Sequence, residues 1–281
     1  MEKNVLHYFV DTNSSRGFVS FWESNFGKLE KVVKLDGYPD LLVTQLVSQA
    51  CAQALGCEQE VELVHNCLDN SLQGIILPGQ KTGLLNLPAY GDESYSLRLA
   101  EDENLSKARE RVQRAYGCFG QALKIHDDWE RIFISSMDFE AMDELAEETA
   151  EKLFGGQKTD RAGSCADRFF GAATVNGSYD YIPNITQEIP KRYFLKGRPG
   201  TGKSTFLKML ARAAQDRGYR TEAYHCAFDP NSLDMIAVRE LGLCVFDSTA
   251  PHEYFPDRDS DEIIDIYKAA VQPGTDEKYE K

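Results

Sequence analysis

Eight consecutive residues carry the clearest chemistry in this chain: Gly197-Arg198-Pro199-Gly200-Thr201-Gly202-Lys203-Ser204. They fit the pattern G-x-x-x-x-G-K-[ST], in which glycines let backbone N–H groups turn toward an anion without interference from side chains. The helix expected to begin near Lys203 adds unpaired amides and the positive end of its dipole. Lys203 would reach the β- and γ-phosphates of a nucleotide, and Ser204 would place its hydroxyl on Mg²⁺. The pattern predicts a phosphate-binding loop, or Walker A motif, over Gly197–Thr205.

A carboxylate that could hold the magnesium lies about 40 residues after this loop. The apolar run Leu243-Cys244-Val245-Phe246 ends in Asp247, which is the form expected of a Walker B strand. We therefore assign Asp247 to the metal site together with Ser204, and we treat Lys203 and Asp247 as the catalytic residues. The next two residues are a serine and a threonine, whereas many ATP hydrolases carry a glutamate there. The sequence therefore predicts slow hydrolysis.

The elements that must position this loop occur twice in the sequence. When Gly37-Tyr38-Pro39 is aligned with Gly197-Arg198-Pro199, at an offset of 197 − 37 = 160, the segments on either side also align. In both halves a short apolar strand candidate precedes the turn, and a helical pattern that ends at a glycine follows it. His65 then falls on His225 and Asp69 on Asp229, and a one-residue gap continues the match downstream. This ordered succession predicts an internal duplication.

The loop of the first half lacks the residues that bind phosphate. Leu42 stands where the second half has a glycine, and Val43 replaces the lysine. Asp40 adds a negative charge where phosphates would lie, which should repel a nucleotide. The Walker B position is taken by Pro88, or by Asn86 if the register slips by two residues. We expect the first half to keep the fold without the site.

Several further polar residues allow two readings each. His225, Asp229 and Asp234 follow the second strand candidate of their half, where a general base could meet an acceptor hydroxyl. The recurrence of the histidine and the first aspartate in the first half favours a structural role, such as an Asx turn. Arg198 could touch phosphate or face solvent. His252 lies just beyond the Walker B strand and is a further site candidate.

The segments YFLKGRPGTGKSTFLK, YHCAFDPNSLDM and VFDSTAPHEYFPDR resemble a bacterial family of tandem P-loop ATPase-like proteins. In that family two such halves each carry a helical arm, and both halves often have a working loop. The resemblance covers essentially the whole chain and implies the P-loop NTPase fold with ATP or a related nucleotide as ligand. This sequence departs from the family by losing the first loop, which argues against cooperation between two nucleotide sites.

The predicted fold class is α/β, with two tandem P-loop NTPase-like domains whose parallel sheets are flanked by helices. The first domain, over residues 1–160, is degenerate and carries a helical arm at about 103–155, inserted after its core, where apolar residues recur at helical spacing. The second, over residues 166–281, has the intact loop and stops about where its own arm would begin. A stretch rich in glycine and polar residues over 155–168 predicts a linker between them.

Composition narrows the partners and the compartment. The formal charge is −14, which argues against broad nucleic-acid binding because such binding depends on neutralising phosphates with cations. Seven cysteines without a CxxC pair are typical of reduced thiols in a cytoplasmic protein. The N-terminus lacks the pattern of a signal peptide, and no apolar run approaches the length of a membrane span. We expect a cytoplasmic protein whose oligomeric state the sequence leaves open.

Three functions agree with these features. The first is binding of ATP or GTP with Mg²⁺ and slow hydrolysis at a single Walker A site, with the first half as a non-binding structural or regulatory copy. The second is a small-molecule or nucleotide kinase, in which Asp234 and its neighbours serve the acceptor. The third is a non-catalytic, nucleotide-dependent interaction protein whose helical arm contacts a protein partner, although packing of the arm on its own domain is the simpler expectation.

Overall fold

The structure is a computed structural model of the chain, and it describes residues 4–35, 38–87, 103–250 and 252–279. The chain divides into two compact units. The segments are, for unit 1, Met1–Gln121, Asp167–Ile185 and Ala227–Pro230, and for unit 2, Ala122–Ala166, Thr186–Cys226 and Asn231–Lys281. Each unit therefore takes segments from both halves of the sequence. The domain boundaries inferred from the repeat, 1–160 and 166–281, stay a prediction.

Strands and short helices alternate along the first half. In chain order they are β1 (Val5–Phe9), β2 (Asp11–Ser14), β3 (Gly17–Ser20), α1 (Trp22–Phe26), β4 (Lys31–Lys34), α2 (Asp40–Gly56), β5 (Val61–His65), β6 (Leu72–Leu77) and β7 (Thr82–Leu85). Two long helices follow, α3 (Glu103–Ile134) and α4 (Phe139–Phe154), where the sequence predicts the helical arm.

The second half repeats this succession and then extends it. Its elements are β8 (Ser164–Phe169), β9 (Gly171–Thr174), β10 (Gly177–Asp180), α5 (Ile182–Thr186), β11 (Lys191–Lys196), α6 (Lys203–Asp216), β12 (Arg220–His225), β13 (Leu233–Val238), β14 (Leu243–Asp247), β15 (Glu262–Asp265), α7 (Ile266–Ala270) and α8 (Thr275–Tyr279). The hairpin β2–β3 and the hairpin β9–β10 are shifted by 160 positions, in agreement with the offset in the sequence. The predicted linker ends within β8, because Ser164 already belongs to that strand.

Unit 1 contains a mixed sheet in the strand order β4–β7–β6–β5–β1. The outer pairs β4/β7 and β1/β5 are parallel, whereas β6 is antiparallel to both of its neighbours. Unit 2 contains the order β15–β11–β14–β13–β12, and there β13 is the reversed strand.

The α/β class is confirmed, and the sheets that the sequence predicted to be parallel are mixed, with mostly parallel strands. Six residues, 66–71, separate β5 from β6, and seven, 226–232, separate β12 from β13. A parallel neighbour needs a crossover of a dozen residues or more, so these short connections require an antiparallel neighbour. In each unit four strands of the sheet still run in one direction around the single reversed strand.

Helix α4 supplies a large share of the core of unit 2. It begins after Asp138, whose side chain accepts a hydrogen bond from the Ala141 N–H as an N-cap. Met142, Ala146 and Phe154 are buried in the same cluster as Leu207 and the other apolar residues of α6. The apolar face of α4 is therefore covered by α6 of the second half of the sequence, whereas the simpler expectation was that the arm packs on its own, first domain.

Helix α3 is the longest element, at 32 residues. Its length would suffice to span a bilayer, but its sequence carries charged residues in every part. Within the ranges that the structure describes, no helix combines the length and the apolar character of a membrane span.

A buried carboxylate lies in unit 1, where β2 approaches β6. Asp11 is fully buried, and its Oδ2 accepts a hydrogen bond of 2.6 Å from Gln73 Nε2 while Ser20 donates to the other oxygen. Burial raises the pKa of Asp11 to about 6, and the two hydrogen bonds offset part of that shift. The ionised form is therefore unfavourable in the folded state relative to the unfolded chain.

We expect Asp11→Asn to stabilise the protein in a pH-dependent way. Because the folded pKa of about 6 lies above the ordinary value of 3.8, the cost of ionisation is absent below about pH 4 and complete above about pH 6. The variant should raise the free energy of unfolding by about 2–3 kcal/mol at neutral pH and by little near pH 4. Urea unfolding at both pH values measures this, and an equal change at the two values would contradict it. The amide introduced by the substitution could also donate to Gln73 Oε1, which has no hydrogen-bond partner among the described residues.

Candidate functional site

The predicted phosphate loop lies in unit 2 and connects β11 to α6. Gly200 and Gly202 have φ angles of 77° and 80°, in the left-handed region that side chains disfavour. Gly202 caps α6, which begins at Lys203 and runs for 14 residues. The strand, loop and helix predicted around this motif are therefore all present. The first N–H groups of α6 have no partner within the helix, and they adjoin the loop.

A side chain would be crowded at three glycines of the loop. A Cβ at Gly197 would lie 2.5 Å from Thr201 Oγ1, and a Cβ at Gly202 would lie 2.7 Å from Met142 Cε, the movable end of a methionine. At Gly200 it would clash with the backbone carbonyl oxygen of Glu130 in α3. The helical arm therefore holds one side of the loop, and the glycines keep its backbone close to that support.

Lys203 folds back over the loop. Its Nζ donates to the carbonyl oxygens of Gly197, at 2.9 Å, and of Arg198, at 3.0 Å. The same Nζ lies 3.6 Å from Asp247 Oδ2, and the lysine side chain is only 11 % exposed. A cation is thus held at the mouth of the loop, next to a carboxylate.

Asp247 ends β14, which runs parallel to β11 directly beside it, so that Leu195 pairs with Asp247. Its Oδ1 accepts hydrogen bonds from the N–H of Thr249, at 3.0 Å, and from the hydroxyl of Thr249, at 2.6 Å. Oδ2 remains directed at the lysine. The structure therefore brings the predicted Walker B aspartate to the predicted Walker A lysine.

Ser204 lies in the first turn of α6, where the metal ligand is expected. Its Oγ accepts a hydrogen bond of 2.9 Å from the N–H of Leu233, the first residue of β13. Thr205 follows and is exposed, whereas Thr201 is buried and its hydroxyl donates to the Arg198 carbonyl at 2.7 Å. Pro199 is half-buried at the turn of the loop.

Arg198 points away from the lysine. Its Nη2 lies 2.9 Å from Asp276 Oδ2 in α8, and more than half of its side chain is exposed. Of the two expectations for Arg198, the structure agrees with exposure to solvent, and it adds an ion pair with Asp276.

Asp234 is a second carboxylate next to Asp247. Strands β13 and β14 pair antiparallel with Met235 opposite Phe246, and Asp234 and Asp247 are the next residues beyond that pair. Burial and then the charge of Asp247 raise the pKa of Asp234 to about 6, against a hydrogen bond with Cys226 and the charges of His252 and Lys203.

Of the three polar residues that follow the second strand, Asp234 is the one on which the charges of Lys203 and Asp247 are seen to act. Asp229 belongs to unit 1, where its Oδ1 lies 2.6 Å from Arg16 Nε. His225 ends β12 at a β-bulge. A sequence signal for Asp234 exists, since it is the one acid inside the apolar strand Leu233–Val238.

The counterparts of His225 and Asp229 in the first half have structural roles. His65 hydrogen-bonds through Nδ1 to the Asn70 carbonyl oxygen at 3.0 Å, and burial lowers its pKa to about 4. Asp69 Oδ1 accepts from the Ser71 N–H at 2.9 Å, which is the predicted Asx turn.

In the described residues of the equivalent place, from Tyr38 onward, α2 already starts at Asp40. The positions of Gly200, Thr201 and Gly202 are thus taken up by the first helical turn. Val43, at the position of Lys203, is 1 % exposed and belongs to the core. Gly37, the first residue of that predicted loop, and Pro88 lie outside the described residues.

The register of β6 and β7 identifies Asn86 as the counterpart of Asp247. The sheet pairs Gly74 with Leu85, and the N–H of Asn86 donates to the Gln73 carbonyl at 2.9 Å. Asn86 Nδ2 in turn lies 3.2 Å from Asp40 Oδ1. In the first half, therefore, the counterpart of Asp247 is an amide that is hydrogen-bonded to Asp40, whereas in the second half Asp247 lies beside a lysine.

The residues of unit 2 fit a magnesium-bound triphosphate. Mg²⁺ prefers oxygen ligands and is commonly held by one or two carboxylates together with phosphates, and Ser204, Asp234 and Asp247 offer such oxygens. Phosphate oxygens would meet the N-terminal amides of α6 and the lysine. Comparison of the chain with protein-family models, with curated proteins and with solved structures found no match.

Proposed function

We propose that unit 2 binds a nucleoside triphosphate, ATP in the first instance, together with Mg²⁺ at Gly197–Thr205, and hydrolyses it slowly. The observation that carries this proposal is the approach of Lys203 Nζ to Asp247 Oδ2, 3.6 Å apart, at the N-terminus of a helix that follows a loop with two left-handed glycines. The lysine and the helix amides serve the β- and γ-phosphates, and Ser204 and Asp247 serve the metal.

The two residues after Asp247, Ser248 and Thr249, explain why we expect slow hydrolysis. Ser248 is buried, and both its N–H and its hydroxyl donate to the Leu195 carbonyl. Thr249 caps Asp247 through its own N–H and hydroxyl. Both residues are engaged in the fold and neither is a carboxylate, so neither can take a proton from the attacking water as a glutamate would.

One site per chain is part of the proposal. The helical start of α2 removes the backbone curl that would surround a phosphate, and the first half has no lysine at Val43. In the resembled family a working loop often occurs in each half, and this chain would differ by keeping only the second. The first half then acts as a structural or regulatory copy.

Isothermal titration of the protein with MgATP and with MgGTP tests this function. We expect saturable binding of one nucleotide per chain, weaker binding when EDTA removes the metal, and release of inorganic phosphate at a slow rate. Failure of both nucleotides to bind in excess Mg²⁺ would overturn the proposal. A stoichiometry of two would overturn the assignment to unit 2 alone.

A nucleotide-dependent interaction protein is the second candidate, and α3 favours it. Ile125 and Trp129, four residues apart on that helix, are 73 % and 50 % exposed. The next residue, Glu130, has its backbone against Gly200 of the loop. Tight binding of nucleotide with no measurable phosphate release would favour this function over an ATPase.

A further inference from the structure

We propose that Asp234 is a second metal-binding carboxylate of this site, which acts beside Asp247 on the Mg²⁺ of the bound nucleotide. This inference rests on the proposed function. It gives a direct role in nucleotide binding to β13, the reversed strand of unit 2, which belongs neither to the loop motif nor to the Walker B strand.

Asp234 lies next to Asp247 at the end of the pairing between β13 and β14. The last paired residues at that end are Met235 and Phe246, and Asp234 and Asp247 follow directly on the two antiparallel strands. On its other side β13 has a β-bulge at Asp234, because Tyr224 pairs with Met235 and His225 pairs with Leu233. The charges of Asp247 and Lys203 both act on Asp234, and the N–H of Leu233, the residue before it, donates to Ser204 Oγ. Asp234 therefore borders the same space as Lys203, Ser204 and Asp247.

Two acids in this relation need a cation between them. Like charges directly opposite each other destabilise a strand pair. Lys203 is close to Asp247, but its Nζ is already shared between two loop carbonyls. A divalent ion that is bound with the nucleotide would neutralise the two carboxylates together.

The first half supplies an internal comparison. Gln73 and Asn86 occupy the positions of Asp234 and Asp247, and the Asn86 N–H donates to the Gln73 carbonyl just beyond the pair Gly74–Leu85, which corresponds to Met235–Phe246. The hydroxyl of the first helical turn contacts the first residue of the strand in both halves: Thr44 Oγ1 donates to the Leu72 carbonyl at 3.2 Å, and Ser204 Oγ accepts from the Leu233 N–H.

The two halves differ in charge at these positions. The first half, which has no lysine in its loop, has amides where the second half has two acids. Each amide bonds to a local carboxylate, Gln73 to Asp11 and Asn86 to Asp40. A residue needed only to hold β13 against β14 could stay an amide in both halves. An acid that appears together with the phosphate lysine indicates a role toward a cation.

The test measures ATP affinity in excess Mg²⁺ and in EDTA for wild type, Asp234→Asn and Asp234→Gln. Glutamine is the residue that this fold already accepts at the same place in the first half, so the second variant guards against misfolding. We expect the ratio of the two dissociation constants, EDTA over Mg²⁺, to fall by roughly tenfold or more in both variants. Affinity in EDTA should stay the same or improve, because a negative charge near the phosphates has been removed.

Two controls distinguish a metal-binding role of Asp234 from a purely structural one. Asp247→Asn should lower the same ratio, whereas Asp216→Asn, an exposed acid at the far end of α6, should leave it unchanged. Without nucleotide or metal, both Asp234 variants should melt at a higher temperature than wild type because the like-charge pair is gone. Equal loss of affinity with and without Mg²⁺, together with a lower melting temperature, would overturn the role of Asp234. A wild type that binds no nucleotide would instead overturn the proposed function.

Discussion

Lys203→Ala is expected to weaken MgATP binding by about 100-fold or more. The lysine ammonium would make two charge-assisted contacts to the β- and γ-phosphates, each worth about 1.5–3 kcal/mol, and about 3 kcal/mol corresponds to roughly two decades of affinity. Its removal also leaves Asp247, 20 % exposed, without the cation at 3.6 Å. Isothermal titration in excess Mg²⁺ measures the change.

Lys208→Ala is the matched control for this experiment. Lys208 lies on the same helix, is exposed, and donates to the Asn231 carbonyl at 2.6 Å. This variant should bind MgATP as wild type does. If Lys203→Ala stays within a factor of about three of wild type while Lys208→Ala does the same, the nucleotide does not bind in this loop.

Arg168→Met is expected to lower the free energy of unfolding by about 3–5 kcal/mol, because it removes a buried guanidinium and leaves the mostly buried Glu62 carboxylate without its charged partner. The Arg168 side chain is 2 % exposed, and its Nη2 lies 2.8 Å from Glu62 Oε2. Its Nε donates to Asn25 Oδ1 at 2.7 Å, and its guanidinium lies 4.0 Å from the centre of the Tyr8 ring. All four residues belong to unit 1.

The second half offers the corresponding glutamate as a control. Arg239 Nε lies 2.9 Å from Glu222 Oε1, but the arginine side chain is 36 % exposed, against 2 % for Arg168. Arg239→Met should therefore cost clearly less than Arg168→Met, because the Arg239 guanidinium is partly hydrated already. Urea denaturation followed by circular dichroism compares the two variants, and an equal loss would show that burial of the arginine is not what stabilises unit 1. Adding Glu62→Gln to Arg168→Met should restore part of the loss.

The sequence allows the loop and its immediate support to be predicted, because local patterns determine them. Glycine spacing requires left-handed backbone at Gly200 and Gly202, the apolar run before Gly197 forms β11, and the amphipathic run after Lys203 forms α6. Asp247 was also predictable, since an apolar strand that ends in an acid has a recognisable form.

The tertiary arrangement could not be read from the same patterns. The sign of the reversal of β13 lies in the connection of seven residues before it, 226–232, which is too short for a parallel crossover, and not in the composition of the strand. The approach of Asp234 to Asp247 depends on that reversal, which the prediction of parallel sheets left out. The apolar residues of α4 predict that one face of the helix is buried. They do not identify the partner, which is α6 of the other half of the sequence.

The early start of α2 has a consequence for how stability and function are balanced in this chain. Glycine in a helix-forming segment costs about 1 kcal/mol relative to ordinary residues, and unit 2 keeps two of them in a left-handed loop. The first half has replaced both by residues that extend a helix by one turn. Under the proposed function, unit 2 gives up helix stability at this loop for the binding of a phosphate, whereas the first half, which has no such site, has the longer helix.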